Sequence, residues 1–214
     1  MALEVESFTV GPVAENAHLL RLAGGDSAVI VDPGDESDRL LAAIAAAGVE
    51  LEAILLTHTH FDHIGAVADI AEATGAPVYC PAAESAILAD PSIYAAIPGI
   101  PPIRPWQAEH TLEGGERLEL AGLEIDVLPT PGHSIGHVTY AVPSADAIFS
   151  GDVLFKGSIG RTDLPGGDAP TLLRSIDDLL DRYPAEAVVY PGHMENTTLG
   201  AERATNPFLS AARG

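Results

Sequence analysis

The sequence predicts a layered α/β fold in a single domain covering residues 1–214. Short aliphatic runs alternate along the chain with alanine-rich segments of helical periodicity, a pattern typical of sheets covered by helices. Two runs, at residues 29–31 and 53–56, are continuously apolar, as expected for strands buried on both faces of a sheet. Because 47% of the residues are apolar, the chain can bury a sizeable core, and disorder is excluded as its main state.

Each predicted element has a local reason. The chain opens on an alternating segment typical of a half-buried strand, and the later strands are short aliphatic runs. The first two helices are expected to stop at Gly48 and Gly75, and the third places Leu172, Ile176 and Leu179 on one stripe. The predicted strands cover residues 3–10, 29–31, 53–56, 116–120, 123–128, 137–142, 146–149 and 187–190. The predicted helices cover residues 36–47, 63–74 and 169–182, with short terminal helices over 199–203 and 207–212.

One segment, residues 81–106, is predicted to be irregular. It contains six prolines between positions 81 and 105, which break regular structure, and several large apolar side chains that disfavour free solvation. Two interpretations stay open. The segment is either a lid or binding loop over a site, or a surface connection whose aromatic side chains pack down on the core.

Composition restricts the partners. The formal charge is −21, with Lys156 the only lysine, so nucleic acid and anionic membranes are disfavoured as partners, and a small-molecule substrate is expected instead. Cys80 is the only cysteine and is predicted to be a buried strand residue, which excludes an intrachain disulfide and a cysteine-based zinc finger. We see no secretory signal and no apolar stretch of about 18 residues, so a cytoplasmic location is expected.

Metal-competent side chains follow the ends of four predicted strands. In α/β sheets, binding and catalytic loops collect at the C-terminal edge of the strands, so these side chains are expected to meet there. The residues are His58, His60, Asp62 and His63 after the strand at 53–56, His133 after 123–128, Asp152 after 146–149, and His193 after 187–190. Imidazole and carboxylate ligands together suit Zn²⁺, Fe²⁺ or Mn²⁺.

The spacing of the first cluster predicts two metal positions. If the chain is still extended at residues 58–60, His58 and His60 point to the same side and can hold one ion. The chain then bends into a helix, which places Asp62 and His63 further on, where they suit a second ion.

Three further histidines and one aspartate lie outside this ligand set, and two of the four, Asp32 and His137, have two open interpretations. Asp32 either orients a ligating histidine or merely starts the turn Asp-Pro-Gly. His137 either supports the metal ligands or belongs to the core. His18 and His110 show no partner pattern and are expected to be structural.

The run His58-Thr59-His60-Phe61-Asp62-His63, with His133, Asp152 and His193 further along, resembles the metallo-β-lactamase superfamily. The resemblance covers the whole chain in the expected order. Within the superfamily, residues 132–137 (Gly-His-Ser-Ile-Gly-His) and 157–163 (Gly-Ser-Ile-Gly-Arg-Thr-Asp) resemble the glyoxalase II-like group, the hydroxyacylglutathione hydrolases, and especially its short bacterial members.

The resemblance implies a four-layered αβ/βα sandwich with two divalent metal ions, zinc or else iron or manganese, at one edge of the paired sheets. By position, the first metal ion is held by His58, His60 and His133, the second by Asp62, His63 and His193, and Asp152 bridges the two. Arg161 matches a position that contacts the glutathione part of the substrate, whereas Lys156 has no firm counterpart.

The implied reaction is hydrolysis of a hydroxyacyl thioester by hydroxide held between the two ions, with Asp62 and Asp152 in support. Because a thiolate leaves without full protonation, no separate strong acid is required, and no Gly-x-Ser-x-Gly elbow indicates serine chemistry. Few residues follow His193, whereas the larger glyoxalase II enzymes carry a further helical domain, so the thiol carrier stays open.

Alternatives remain. A mononuclear iron persulfide dioxygenase resembles this group closely and also shows a Gly-Arg-Thr-Asp stretch. A lactonase or phosphodiesterase of the same superfamily is compatible with the ligands, and so is a non-catalytic metal-binding protein. The sequence does not decide the native metal or the oligomeric state.

Overall fold

The computed structural model describes residues 2–211 and confirms the layered α/β fold. Two mixed six-stranded sheets pack face to face, and helices cover the outer face of each. Three clusters of buried apolar side chains fill the helix–sheet, sheet–sheet and sheet–helix interfaces. The result is the four-layered αβ/βα sandwich that the resemblance implies.

The elements divide cleanly between the two halves of the chain. The first sheet contains, in order, β1 (Leu3–Val10), β2 (Glu15–Leu22), β3 (Ser27–Val31), β4 (Glu50–Leu55), β5 (Val78–Pro81) and β6 (His110–Leu112). The second contains, in order, β14 (Thr197–Thr198), β13 (Val188–Pro191), β10 (Ala147–Gly151), β9 (Val138–Val142), β8 (Leu123–Pro129) and β7 (Arg117–Leu120). A small hairpin consists of β11 (Leu154–Phe155) and β12 (Ser158–Ile159). The helices are α1 (Ser37–Ala47), α2 (Phe61–Ile64), α3 (Val67–Thr74), α4 (Ser85–Ala89), α5 (Ala169–Arg182), α6 (Leu199–Thr205) and α7 (Pro207–Ala211).

The central strands are apolar on both faces because both faces are covered. In β3, Val29 and Val31 pack between the sheets, whereas Ile30 packs against the helices of the first outer layer. Ile54 and Leu55 of β4 divide in the same way. Successive side chains of a strand point to opposite faces, so the continuous apolar runs in the sequence follow from this double burial.

The prediction of one helix over residues 63–74 was wrong, because the chain forms α2 and α3 with a break at Gly65 and Ala66. The amide of Ala66 donates to Pro33 O at 3.0 Å, outside the helix. A Cβ on Gly65 would lie 2.2 Å from the carbonyl oxygen of Gly34, so the backbone is drawn against the loop after β3. The predicted stops are found: Gly48 and Gly75 follow α1 and α3 in the left-handed conformation that glycine favours.

Several elements were missed, including the eight-residue strand β2 and the short strands β6 and β14. At the C-terminus, α6 and α7 occupy the predicted places, and residue 212 of the second predicted helix lies outside the described residues. No helix within residues 2–211 combines the length and apolar character needed to cross a membrane.

The proline-rich segment, residues 81–106, is less irregular than predicted. It contains α4 and two turns of 3₁₀ helix, at Ala82–Glu84 and Pro91–Tyr94. Tyr94, Ile103 and Trp106 pack, partly buried, against the core between the first sheet and its helices. The structure thus shows aromatic side chains packed on the core, and the lid remains a prediction.

Candidate metal centre

The structure brings all seven predicted ligands together at the C-terminal edges of β4, β8, β10 and β13. Six of them form two groups of three, and within each group the ligand atoms lie within 4.8 Å of one another. The first group is His58, His60 and His133, and the second is Asp62, His63 and His193. Asp152 lies between the groups.

In the first group, three ring nitrogens converge. His60 Nδ1 lies 3.0 Å from His58 Nε2 and 2.8 Å from His133 Nε2. The other nitrogen of two of these rings donates outward, from His58 Nδ1 to Thr57 Oγ1 at 3.0 Å and from His133 Nδ1 to Arg161 O at 2.8 Å. Both Nε2 atoms therefore present lone pairs to the same point, which is the arrangement a metal ion requires.

Two imidazoles of the first group, those of His58 and His60, are uncharged at neutral pH. Burial, reinforced by the neighbouring imidazoles, holds the pKa of His58 well below its usual range and lowers that of His60 to about 4. Neutral imidazole is the form that binds metal ions.

The second group combines two imidazoles with a carboxylate. His193 Nε2 lies 3.3 Å from Asp62 Oδ2, and its Nδ1 donates to Ala14 O at 3.3 Å. His63 Nδ1 donates to Asp32 Oδ2 at 3.0 Å, which leaves His63 Nε2 buried and without a hydrogen-bond partner among the residues that the structure describes.

Asp152 faces both groups. Its Oδ2 lies 3.5 Å from His133 Nε2 and 3.6 Å from His193 Nε2, and its Oδ1 lies 3.5 Å from His63 Nε2. Oδ1 is also buried and, within residues 2–211, unpaired. Burial disfavours the charged carboxylate, but His63 and the other imidazoles overcome this and hold the pKa of Asp152 well below its usual range.

These orphaned atoms fit divalent cations. A buried imidazole nitrogen and a buried carboxylate oxygen that face each other unpaired are costly unless a cation lies between them. Gly192 leaves room for one, since a Cβ there would lie 2.5 Å from Asp152 Oδ1 and 2.7 Å from His63 Cε1. The donor set of imidazole and carboxylate suits Zn²⁺, Fe²⁺ or Mn²⁺.

Asp32 and His137 form hydrogen bonds to two of the ligand residues, His63 and Asp152. Asp32 accepts hydrogen bonds from the amide and hydroxyl of Thr57, at 2.7 and 2.6 Å, as well as from His63. It therefore orients His63, and among the described residues no hydrogen-bonded turn begins at Asp32. His137 Nε2 accepts from the amide of Asp152 at 3.1 Å, and its Nδ1 contacts Thr130 Oγ1 at 3.0 Å.

Sequence reasoning missed the start of β2. Asn16 Nδ2 donates to Pro191 O and Met194 O, which fixes the loop that carries His193. Glu15 is buried beside it, with Oε1 at 3.8 Å from His63 Nδ1, and burial raises the pKa of its carboxyl well above the usual range. Polar residues inside a strand carry no ligand pattern, and Asn16 is 175 residues away from Pro191 in the sequence, so no sequence signal indicated this role.

The predicted substrate residue lies at the rim. The exposed guanidinium of Arg161 makes two hydrogen bonds of 2.8 Å to Asp163, and exposed Lys156 pairs with Glu195. Of the two histidines expected to be structural, His18 is buried between Ser7 Oγ and Pro191 O, and His110 stacks on Tyr79.

The family follows from comparison with known proteins. The family model for the metallo-beta-lactamase superfamily matches residues 10–193, which include every ligand described above. The chain belongs to the metallo-beta-lactamase superfamily. Its fold and its ligand clusters imply divalent metal ions.

Curated relatives in the superfamily include metallo-hydrolases. A protein named probable metallo-hydrolase YqgX from Bacillus subtilis (strain 168) is 42% identical over 94% of this chain and 95% of its own. The hydroxyacylglutathione hydrolase GloC of Haemophilus influenzae is 34% identical over 86% of this chain and 88% of its own. The comparisons thus support a metallo-hydrolase.

Solved structures of the superfamily match the fold closely. BLEG-1, described as a B3 metallo-beta-lactamase, has a TM-score of 0.91 and 39% identity over 97% of this chain and 100% of its own. TTHA1623 in a di-iron-bound form has a TM-score of 0.87 and 45% identity over 96% of this chain and 100% of its own. ETHE1 from Myxococcus xanthus has a TM-score of 0.80 and 27% identity over 97% of this chain and 85% of its own.

Proposed function

We propose that the protein is a binuclear metal-dependent hydrolase of a hydroxyacyl thioester, an S-hydroxyacylglutathione or a similar thiol ester. The observation that carries the proposal is the pair of ligand groups that share Asp152 at one sheet edge. The identity to GloC of Haemophilus influenzae supports this substrate class, and the di-iron form of TTHA1623 supports two ions.

When bound, two divalent ions lower the pKa of a shared water toward neutrality and polarise a carbonyl. The carboxylates of Asp62 and Asp152 supply negative charge rather than protons. Burial opposes the ionised form of Asp62, yet the hydrogen bond from His193 leaves its pKa below the usual range, and Asp152 is likewise ionised. Asp62 and Asp152 therefore balance the charge of two cations at neutral pH.

A thioester matches the groups around the site because its leaving thiolate needs no proton donor. Tyr94 lies near the first group, but its hydroxyl donates to Thr59 O at 2.9 Å, and burial raises its pKa to about 12. Tyr94 is thus a poor acid for expelling an amine. This favours thioesters over amides, including β-lactams.

A cleft beside the second ligand group offers room for one arm of the substrate. It is small, with a cavity volume of about 60 Å³, and is lined by Phe61, Asp62, Val10 and residues 100–103 of the proline-rich segment. Among residues 2–211, no lysine or arginine lines it. We assign the acyl arm to this cleft and the anionic thiol arm to the rim beside Arg161, where substrate carboxylates compete with Asp163 for the guanidinium.

The test begins with elemental analysis of protein purified without added metal, followed by assays on that same sample. We expect about two ions of Zn, Fe or Mn per chain and release of free thiol from S-lactoylglutathione. An Asp152→Ala variant is the control and should lose both metal and thiol release. Fully loaded protein that is inert on a panel of thioesters would contradict the proposal.

The same sample separates the alternatives. A persulfide dioxygenase would contain one iron and consume oxygen with glutathione persulfide. A β-lactamase, the function named for BLEG-1, would open a chromogenic cephalosporin. A non-catalytic metal-binding protein would do none of these.

A further inference from the structure

Glu84 is a buried residue outside the metal centre. Its carboxylate accepts hydrogen bonds from two of the loops that carry the metal ligands. It lies in the 3₁₀ turn Ala82–Glu84 at the start of the proline-rich segment and is only 2% exposed. Its side chain accepts four hydrogen bonds, and all four donors belong to the loops that follow β4 and β8.

Each carboxylate oxygen holds one loop. Oε2 accepts from the amide and hydroxyl of Thr59, at 2.7 and 3.0 Å. Oε1 accepts from the hydroxyl of Ser134 and from the amide of Gly136, the latter at 2.9 Å. Thr59 lies between the ligands His58 and His60, and Ser134 directly follows the ligand His133. Glu84 therefore joins the two loops that carry the first ligand group.

The proline-rich segment also binds the backbone carbonyl of Thr59. The hydroxyl of Tyr94 donates to Thr59 O at 2.9 Å, so both backbone polar groups of Thr59 bond to the proline-rich segment. Gly136 permits the close approach, because a Cβ there would lie 2.9 Å from Glu84 Cγ and 3.0 Å from Ala83 Cβ.

We propose that Glu84, with Tyr94, is a positioning residue for the first metal ion, and that residues 81–94 form a brace that sets the distance between His58, His60 and His133. The physical reason is that the three ring nitrogens converge from two loops far apart in sequence. A backbone hydrogen bond from Val138 N to Thr57 O, at 2.9 Å, joins the two segments beside the strands, and Glu84 joins them next to the ligands themselves. Partners of this kind typically change metal affinity about 10- to 100-fold when removed. The inference does not depend on the substrate.

The test separates the two metal positions. His193→Ala leaves only the first ligand group intact, and His58→Ala leaves only the second. Metal affinity is measured on each background by competition with a chromogenic chelator, with and without Glu84→Gln. A glutamine turns an NH₂ group toward donors and cannot accept all four bonds. We expect affinity on the His193→Ala background to fall at least about tenfold and affinity on the His58→Ala background to stay within about twofold.

A matched control is Glu202→Gln. Glu202 is also 2% exposed and accepts bonds from Gly157, Thr197 and Asn206, away from the ligands. This variant should lower the unfolding temperature without changing metal affinity at either position. If Glu84→Gln leaves both affinities unchanged, or weakens both equally, the proposal is wrong.

Milder variants keep the test decisive if Glu84→Gln does not fold. Thr59→Val removes one donor and keeps the shape, whereas Thr59→Ser keeps both donors. Tyr94→Phe removes only the bond to Thr59 O. Thr59→Val and Tyr94→Phe should weaken the first position selectively, by severalfold, and Thr59→Ser should behave as wild type. Unchanged affinity in both Thr59→Val and Tyr94→Phe would overturn the inference.

Discussion

The imidazole of His133 donates from Nδ1 to the backbone oxygen of Arg161 at 2.8 Å. This bond fixes the ring so that Nε2 faces His60, and it uses the main chain of Arg161 only. The guanidinium of the same residue is exposed and bound to Asp163. Arg161 thus contributes to the metal centre through its carbonyl, while its side chain is available to a substrate only in exchange for Asp163.

The two roles of Arg161 predict a divided effect of Arg161→Ala. The carbonyl remains, so metal content should equal that of the wild type. Loss of the cation should raise KM for S-lactoylglutathione about tenfold, with little change in kcat. An uncharged thioester of similar size should show no change in KM. A variant that loses metal would contradict this division of roles.

Gly192 predicts a steric test of the second metal position. Its Cα faces Asp152 Oδ1 and His63, so Gly192→Ala should place a methyl group in the space between these ligands. We expect the unfolding free energy to fall by about 1–3 kcal/mol through overpacking and metal content to fall as well. The matched control is Gly25→Ala, where the nearest atom is Leu22 O at 3.1 Å, far from the site. Gly192→Ala with full metal content would contradict the placement of the second ion beside Gly192.

Asp32 predicts a tautomer effect. It accepts hydrogen bonds from Thr57 and from His63 Nδ1. In Asp32→Asn, an NH₂ group would face His63 Nδ1 and favour the tautomer that carries its proton on Nε2, the nitrogen needed for the metal ion.

The expected result for Asp32→Asn is a 10- to 100-fold loss of affinity at the second position, measured on the His58→Ala background. Asp38→Asn, an exposed substitution in the first turn of α1, is the control and should change nothing. Equal affinity in the two variants would remove Asp32 from the support of His63.

Much of this site could be predicted from the sequence because its signals are local. Apolar runs that end in His or Asp locate both the strands and their C-terminal edges, and the pattern His-x-His-x-Asp-His contains four ligands within six residues. Both features arise from physics that acts over a few residues: double burial of a strand and the alternation of its side chains.

The remainder depends on contacts between distant segments. Asn16 bonds to Pro191, and Glu84 joins Thr59 to Ser134, across separations that no periodicity records. Glu84, in the run Pro81-Ala82-Ala83-Glu84, looks in sequence like any solvated glutamate. The break between α2 and α3 was missed for the same reason, since it depends on the contact of Gly65 with the loop after β3.

The pH dependence of stability offers a test of the β2 packing at His18. Burial lowers the pKa of His18 to about 4, whereas an unfolded histidine titrates near 6.5. Between these values the unfolded chain binds the additional proton, so this histidine should destabilise the fold progressively as the pH falls from about 6.5 toward 4. By linkage, it should account for a loss of about 2 kcal/mol between pH 7 and pH 5.

Urea unfolding of wild type and His18→Gln at both pH values, with equal metal content, measures the difference. Glutamine can bond to Ser7 and Pro191 but does not titrate, so the variant should lose less stability than the wild type by that amount. Identical losses in the two proteins would show that His18 is already protonated, or solvated, in the native state.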